Sequence, residues 1–128
     1  MYLGDALLLG TKKYAMSGIF PVTFCLEKKP QAHGYTIVET AADNPYYPEG
    51  ILLKGHEFHY SRIIDSKTKG LSFSFRMKRG QGIIDKKDGL CYKNVLATYT
   101  HLHALGSPEW ADGLIKQAYF YKKRLPKC

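Results

Sequence analysis

The sequence lacks any apolar run approaching the roughly 20 residues that a membrane-spanning helix requires. It has only three cysteines, Cys25, Cys91 and Cys128, odd in number, far apart and outside any C-x-x-C spacing. That argues against a disulfide framework and fits reduced thiols in a cytoplasmic protein. Residues 1–10 carry no basic residue ahead of their short apolar stretch and no small-residue cleavage site, which argues against a signal peptide. Repeats and low-complexity segments are missing, and so is a G-x-x-x-x-G-K-S/T phosphate loop. Acidic residues are scarce: 11 Asp and Glu stand against 19 Lys and Arg, a net charge of +8. Such a balance attracts anions in general. The basic residues, however, fall in short scattered groups (Lys12-Lys13, Lys28-Lys29, Lys86-Lys87, Lys122-Lys123-Arg124). That pattern suits a solvated surface, so neither nucleic acid nor a membrane is expected as a partner.

What is present suits a globular chain. The 128 residues correspond to one domain or a large piece of one, with 45% hydrophobic and 23% charged residues, ordinary for a soluble fold. A chain of this size buries roughly two-thirds of its unfolded surface. Residues 3–14 allow one or two helical turns before Gly18 and Pro21 break the pattern. Residues 35–40 are rich in β-branched side chains and read as a strand, and residues 42–50 as a loop. The alternation over 71–77 has the period-2 signature of a half-buried strand. Gly80-Gln81-Gly82 and Asp88-Gly89 read as turns around Ile83-Ile84, and residues 90–99 as another strand. The last segment predicts a helix with Ser107 as N-cap, Pro108 at its first position and Glu109 at its positive end. Trp110, Leu114, Ala118 and Tyr121 then form one apolar face. Strands followed by a helix predict a mixed α/β domain.

Of five histidines, four fall into two tight groups: His56 and His59 in Gly-His-Glu-Phe-His-Tyr-Ser, and His101 and His103 in Tyr-Thr-His-Leu-His. Their spacing leaves three readings open. Paired histidines can ligate zinc. One of them can serve a nucleophile as general base. Or all are hydrogen-bonded structural residues. In a strand, His-x-His places both rings on one face, which ligation needs but which also occurs by chance.

The segment Gly55-His56-Glu57-Phe58-His59-Tyr60-Ser61, followed by Ala97-Thr98-Tyr99-Thr100-His101-Leu102-His103, resembles the paired signature of the cobyrinic acid a,c-diamide synthase family. Arg79-Gly80-Gln81-Gly82 and Asp88-Gly89-Leu90 are similar to the same family's glutaminase domain. Met1-Tyr2-Leu3-Gly4 resembles the residues that follow that family's Glu-Cys-Gly-Gly-Leu nucleophile motif. The resemblance implies that residues 1–128 are the C-terminal portion of a class I-type glutamine amidotransferase domain, a mixed sheet with flanking helices. In such domains a cysteine attacks the side-chain amide of glutamine, a histidine raises its nucleophilicity, and backbone N–H groups hold the oxyanion. The ammonia serves a synthetase domain that uses ATP and Mg and amidates a tetrapyrrole carboxylate in cobalamin biosynthesis.

Carried onto this chain, the resemblance implies His101 as the catalytic histidine. His103 stands where many class I relatives keep an orienting glutamate, and is expected to support the site or to serve as a structural hydrogen-bond donor. Arg62 matches an arginine that holds the carboxylate of substrate glutamine, a task for a guanidinium fork, with a surface arginine as the alternative. Glu57 and His59 are expected to shape the same substrate-binding site. No metal is implied. The nucleophile is expected a few residues ahead of Met1, and none of the three cysteines sits in a glycine-flanked strand-to-helix turn that could replace it. The chain alone is therefore expected neither to hydrolyse glutamine nor to bind ATP. The alternative is a non-catalytic binding or assembly module that keeps the fold. Exposed strand edges would then favour self-association or association with the preceding part of the enzyme.

Overall fold

The computed structural model describes residues 1–41, 44–66 and 71–124. Among the described residues nine strands and one helix follow in chain order: β1 (Gly4–Leu9), β2 (Lys12–Ala15), β3 (Phe20–Leu26), β4 (Ala32–Thr40), β5 (Leu52–His59), β6 (Ser61–Ser66), β7 (Ser72–Arg79), β8 (Lys87–Tyr92), β9 (Val95–Ala97) and α1 (Glu109–Arg124). The strands form two sheets, one in the order β2-β1-β3-β6 and one in the order β5-β4-β7-β8-β9. The first sheet is mixed, because β1 and β3 run parallel while its other pairs are antiparallel. The second is antiparallel throughout. The mixed α/β class therefore holds, with β structure dominating the described residues.

Residues 3–14 form a hairpin, not helical turns. Gly10 supplies the turn with φ of 58°, and Ala6 to Leu9 pair with β2 on one side while Ala6 to Leu8 pair with β3 on the other. Consecutive Leu7 and Leu8, which point to opposite faces, are both part-buried, so the run loses the alternation that marks a strand buried on one face only. Asp88-Gly89 lies inside β8; the turn falls at Asp85-Lys86, both at positive φ (48° and 57°) and closed by hydrogen bonds between Ile84 and Lys87. Gly89, at φ 68°, brings its backbone against the Phe75 ring. The strand read over 90–99 resolves into β8 and β9 around a turn at Lys93. Loop residues 44–50 conform to expectation; 42 and 43 lie outside the described residues.

The helix exists, but the stripe it turns inward is Glu109, Gly113 and Gln117, of which only Gly113 is buried. Gly113 touches the backbone of Tyr46, and the Gln117 amide donates to the Pro45 carbonyl. Trp110 and Leu114 are half-exposed over a cleft of about 230 Å³, and Ala118 and Tyr121 face solvent. Close backbone approach, which only glycine permits, outweighs the apolar stripe. Ser107 accepts the Trp110 amide through its carbonyl, while its buried hydroxyl makes no hydrogen bond among the described residues.

Two apolar clusters make the core. One, built on Phe20, Val22, Phe24 and Leu90, joins the sheets; the other, built on Val38, Tyr47, Leu53, Phe75 and Met77, lines the second sheet. The chain leaving β9 at one edge of that sheet returns to its opposite edge, where His56 and His101 exchange hydrogen bonds (His101 N to His56 O 2.7 Å, His56 N to His101 O 3.1 Å). The second sheet thus curls towards closure, and the closing bridge is the histidine pair.

Candidate active site

β5 alternates, and that alternation sorts the histidines. His56 and Phe58 point outward, where the rings of His33 and His56 stand 5.6 Å apart and those of His56 and His101 6.5 Å apart. Glu57 and His59 point the other way. Four histidines therefore do not converge on one point, because His59 is divided from His56 by the strand itself. This geometry disfavours a zinc site built from all four. His33, the fifth histidine, joins the outer row through its register partner Phe58 on β5; an isolated histidine offers no sequence signal for that.

His101 is exposed at the edge of this row. Three contacts fix the backbone that delivers it. The bridge to His56 is the first. The second is Tyr99, whose ring stacks on His59 at 3.8 Å and 8° and whose hydroxyl bonds to Ser61 Oγ. Burial, and secondarily the Asp88 charge, push the Tyr99 phenol up to about 12. The third is Asp88, 0% exposed. Its Oδ1 accepts the amides of Gly89 (2.8 Å) and Tyr99 (3.0 Å), and its Oδ2 accepts the Thr98 hydroxyl (2.7 Å) and the Thr100 amide (2.9 Å). Asp-Gly reads as a turn in sequence, and the likeness of Asp88-Gly89-Leu90 to the family's glutaminase domain assigns the aspartate no role, so neither marks Asp88 as a buried anchor. His103 is also exposed, and its Nδ1 accepts the Leu105 amide at 3.3 Å.

The three residues expected at the substrate gather elsewhere. Glu57, 2% exposed, holds the Arg79–Gly82 turn by accepting the Gln81 amide at 2.6 Å and the Gly82 amide at 3.0 Å. His59 Nδ1 is 2.9 Å from the Ser61 carbonyl, while its Nε2 lies 3.7 Å from Glu57, beyond hydrogen-bond reach. Arg62 donates Nε to Glu27 at 2.8 Å and leaves the rest of its half-exposed guanidinium open. His59 and Arg62 line one cleft of about 310 Å³ with Ser61, Gln81 and Gly82; neither His101 nor His103 lines it. Glu57 supports that cleft from below, since it holds the two amides on its wall.

Cys25 lies in β3 and Cys91 is buried in β8, while Cys128 falls outside the described residues. Neither described cysteine occupies a strand-to-helix turn, the setting that activates a nucleophile in this class of α/β domain.

A mixed sheet joined to a curled antiparallel sheet, with an exposed histidine on the closing bridge, is the frame that comparison with known families identifies as a glutamine amidotransferase domain. It belongs to the CobB/CobQ-like glutamine amidotransferase domain family, which matches residues 1–109. Its relatives include cobyrinate a,c-diamide synthases. That of Magnetococcus marinus is 33% identical over 97% of this chain, that of Methanothermobacter thermautotrophicus 38% over 81%, and that of Archaeoglobus fulgidus 34% over 92%. The chain spans about a quarter of the length of these relatives (26%, 23% and 25%). The family reading drawn from the two histidine motifs is thereby borne out.

Proposed function

We propose that this chain provides the histidine half of a glutaminase centre that feeds ammonia to an ATP- and Mg-dependent amidation of cobyrinate carboxylates. One observation carries the reading: His101, in the motif shared with the family, is the exposed histidine of the closing bridge, held by its backbone while its ring stays open to solvent. A ring so placed can take the proton of a thiol as it attacks the glutamine amide and return it to the departing ammonia. The thiol comes from residues other than those described, as do the ATP site and the tetrapyrrole site. The chain by itself is therefore inactive.

Arg62 is the proposed anchor for the glutamine carboxylate, and Glu57 and His59 hold the wall beside it. In this reading the thiol-bearing segment spans the gap between that cleft and His101. A cytoplasmic site of action belongs to the same proposal, supported by the Cys25 thiol, which forms no disulfide. No helix among the described residues is long and apolar enough to cross a membrane.

The test is reconstitution with a separate polypeptide that carries the thiol segment and synthetase domain of a relative. Glutamate release should appear only in the mixture, and His101→Ala should lower it by at least about 10³-fold, since histidine and nucleophile act as a unit. Undiminished glutamate release in the His101→Ala mixture would remove His101 from the chemistry.

A further inference from the structure

We infer that Asp88 is the positioning residue of the His101 centre, a role that rests on the reading of His101 as the glutaminase histidine. The argument starts from cost. A carboxylate with no exposed surface is expensive to bury unless its oxygens are saturated. Asp88 saturates both, with four donors at 2.7 to 3.0 Å. Three of those donors come from consecutive residues, Thr98, Tyr99 and Thr100, immediately ahead of His101.

An ionised carboxylate is an acceptor only, so it can face four donors where an amide cannot. The donors wrap one side chain and bend residues 98–100 into an arch with a single geometry. At the end of that arch, Thr100 packs inward beside Gly55 and His101 meets His56. Tyr99 carries the same arch to β5 and β6 through His59 and Ser61. Asp88 itself sits on β8, paired with Phe75 of β7. It therefore ties the exposed histidine to the interior of the sheet, where the frame cannot shift without loss of core packing. It touches no reacting atom; it acts through the backbone of His101.

Hydrogen exchange on the 128-residue chain tests this without any activity. Asp88→Asn should lower protection of the His56 and His101 amides by about tenfold or more while the β3 amides of Val22 and Phe24 keep theirs. A folded Asp88→Asn variant with parental protection at His56 and His101 overturns the inference. If that variant does not fold, Thr98→Val, which removes one donor, should lower the same two amides selectively by about threefold or more; no change there also overturns it. In the reconstituted glutaminase, Asp88→Asn should lower kcat by about tenfold or more with KM for glutamine within about twofold, the pattern of a lost transition-state alignment. Parental kcat in Asp88→Asn, where His101→Ala abolishes activity, defeats the positioning role alone. Activity that survives His101→Ala defeats the glutaminase reading, and the exchange result still decides what Asp88 holds.

Discussion

Gly55 is where the closing bridge can be pried open with a single methyl group. Its φ lies outside the left-handed region, so alanine is allowed by the backbone, and in open space the change would gain about 0.5–1 kcal/mol of conformational entropy. The space is not open. A Cβ at Gly55 would stand 2.6 Å from the His101 carbonyl oxygen, 2.7 Å from Thr100 Cγ2 and 3.1 Å from Thr36 Oγ1. The carbonyl must retreat by about 0.8 Å to reach the 3.4 Å at which contact becomes ordinary. The same movement stretches the two His56–His101 hydrogen bonds, 2.7 and 3.1 Å in the parent, to or beyond the limit of a bond.

Overpacking costs about 1–3 kcal/mol, and each lost hydrogen bond about 0.5–1.5 kcal/mol. Some of these costs are alternatives, since a chain that moves away relieves the clash. Net of the entropic gain, Gly55→Ala should destabilise the chain by about 2 kcal/mol and lower Tm by roughly 6–12 °C. Circular-dichroism melting gives the first number. Amide exchange at His56 and His101 gives the location, and both amides should lose protection. In the reconstituted glutaminase the same displacement of His101 should cost on the order of 10²-fold in kcat. A variant that melts at or above the parental temperature with His101 still protected would refute the close-approach argument.

Two further outcomes follow from the buried groups. Glu57→Gln replaces an acceptor-only carboxylate with an amide whose NH2 must face the Gln81 or Gly82 amide; stability should fall by about 2–3 kcal/mol in urea titration, and a loss under about 0.5 kcal/mol would show that the Arg79–Gly82 turn does not depend on it. Tyr99 keeps its proton to about 12 when folded and releases it near 10 when unfolded. The unfolded state thus binds fewer protons between those values, so the contribution of Tyr99 is complete below pH 10 and is lost as pH rises to about 12. Tyr99→Phe should make the alkaline limb of stability shallower by about 1.4 kcal/mol per pH unit, measured by denaturant midpoints across that range, and an unchanged slope would contradict the assignment.

Much of the second sheet is legible in the sequence because its strands are half-buried. Residues 35–40 and 71–77 declare themselves by β-branching and alternation; the first fall within β4, and all of the second but Leu71 within β7. The first sheet is less legible. In Ala6-Leu7-Leu8-Leu9 both faces are apolar and Leu7 and Leu8 are both part-buried, so the pattern gives no period, and only Gly10 hints at the hairpin. The helix is read correctly as an element and wrongly as a surface. Its apolar stripe is real, yet the contact is decided by Gly113, where the absence of a side chain lets the backbone reach Tyr46. Propensity and periodicity cannot register a contact made by a missing atom.

The site divides along the same line. Motif resemblance nominates His101, Glu57, His59 and Arg62, but does not show that the cleft lined by His59 and Arg62 excludes His101. Period-2 alternation within Gly-His-Glu-Phe-His implies the split between His56 and the Glu57–His59 pair; the placement of His101 depends on a pairing between residues 45 apart in the chain. The deepest gap is Asp88. In sequence an Asp-Gly pair is a strong turn signal. In the structure the same two residues do different work, the glycine admitting the Phe75 ring and the aspartate gathering the arch that ends in His101. What made Asp88 illegible is that its donors are mainly backbone amides, which every sequence has and which only the fold brings to one place.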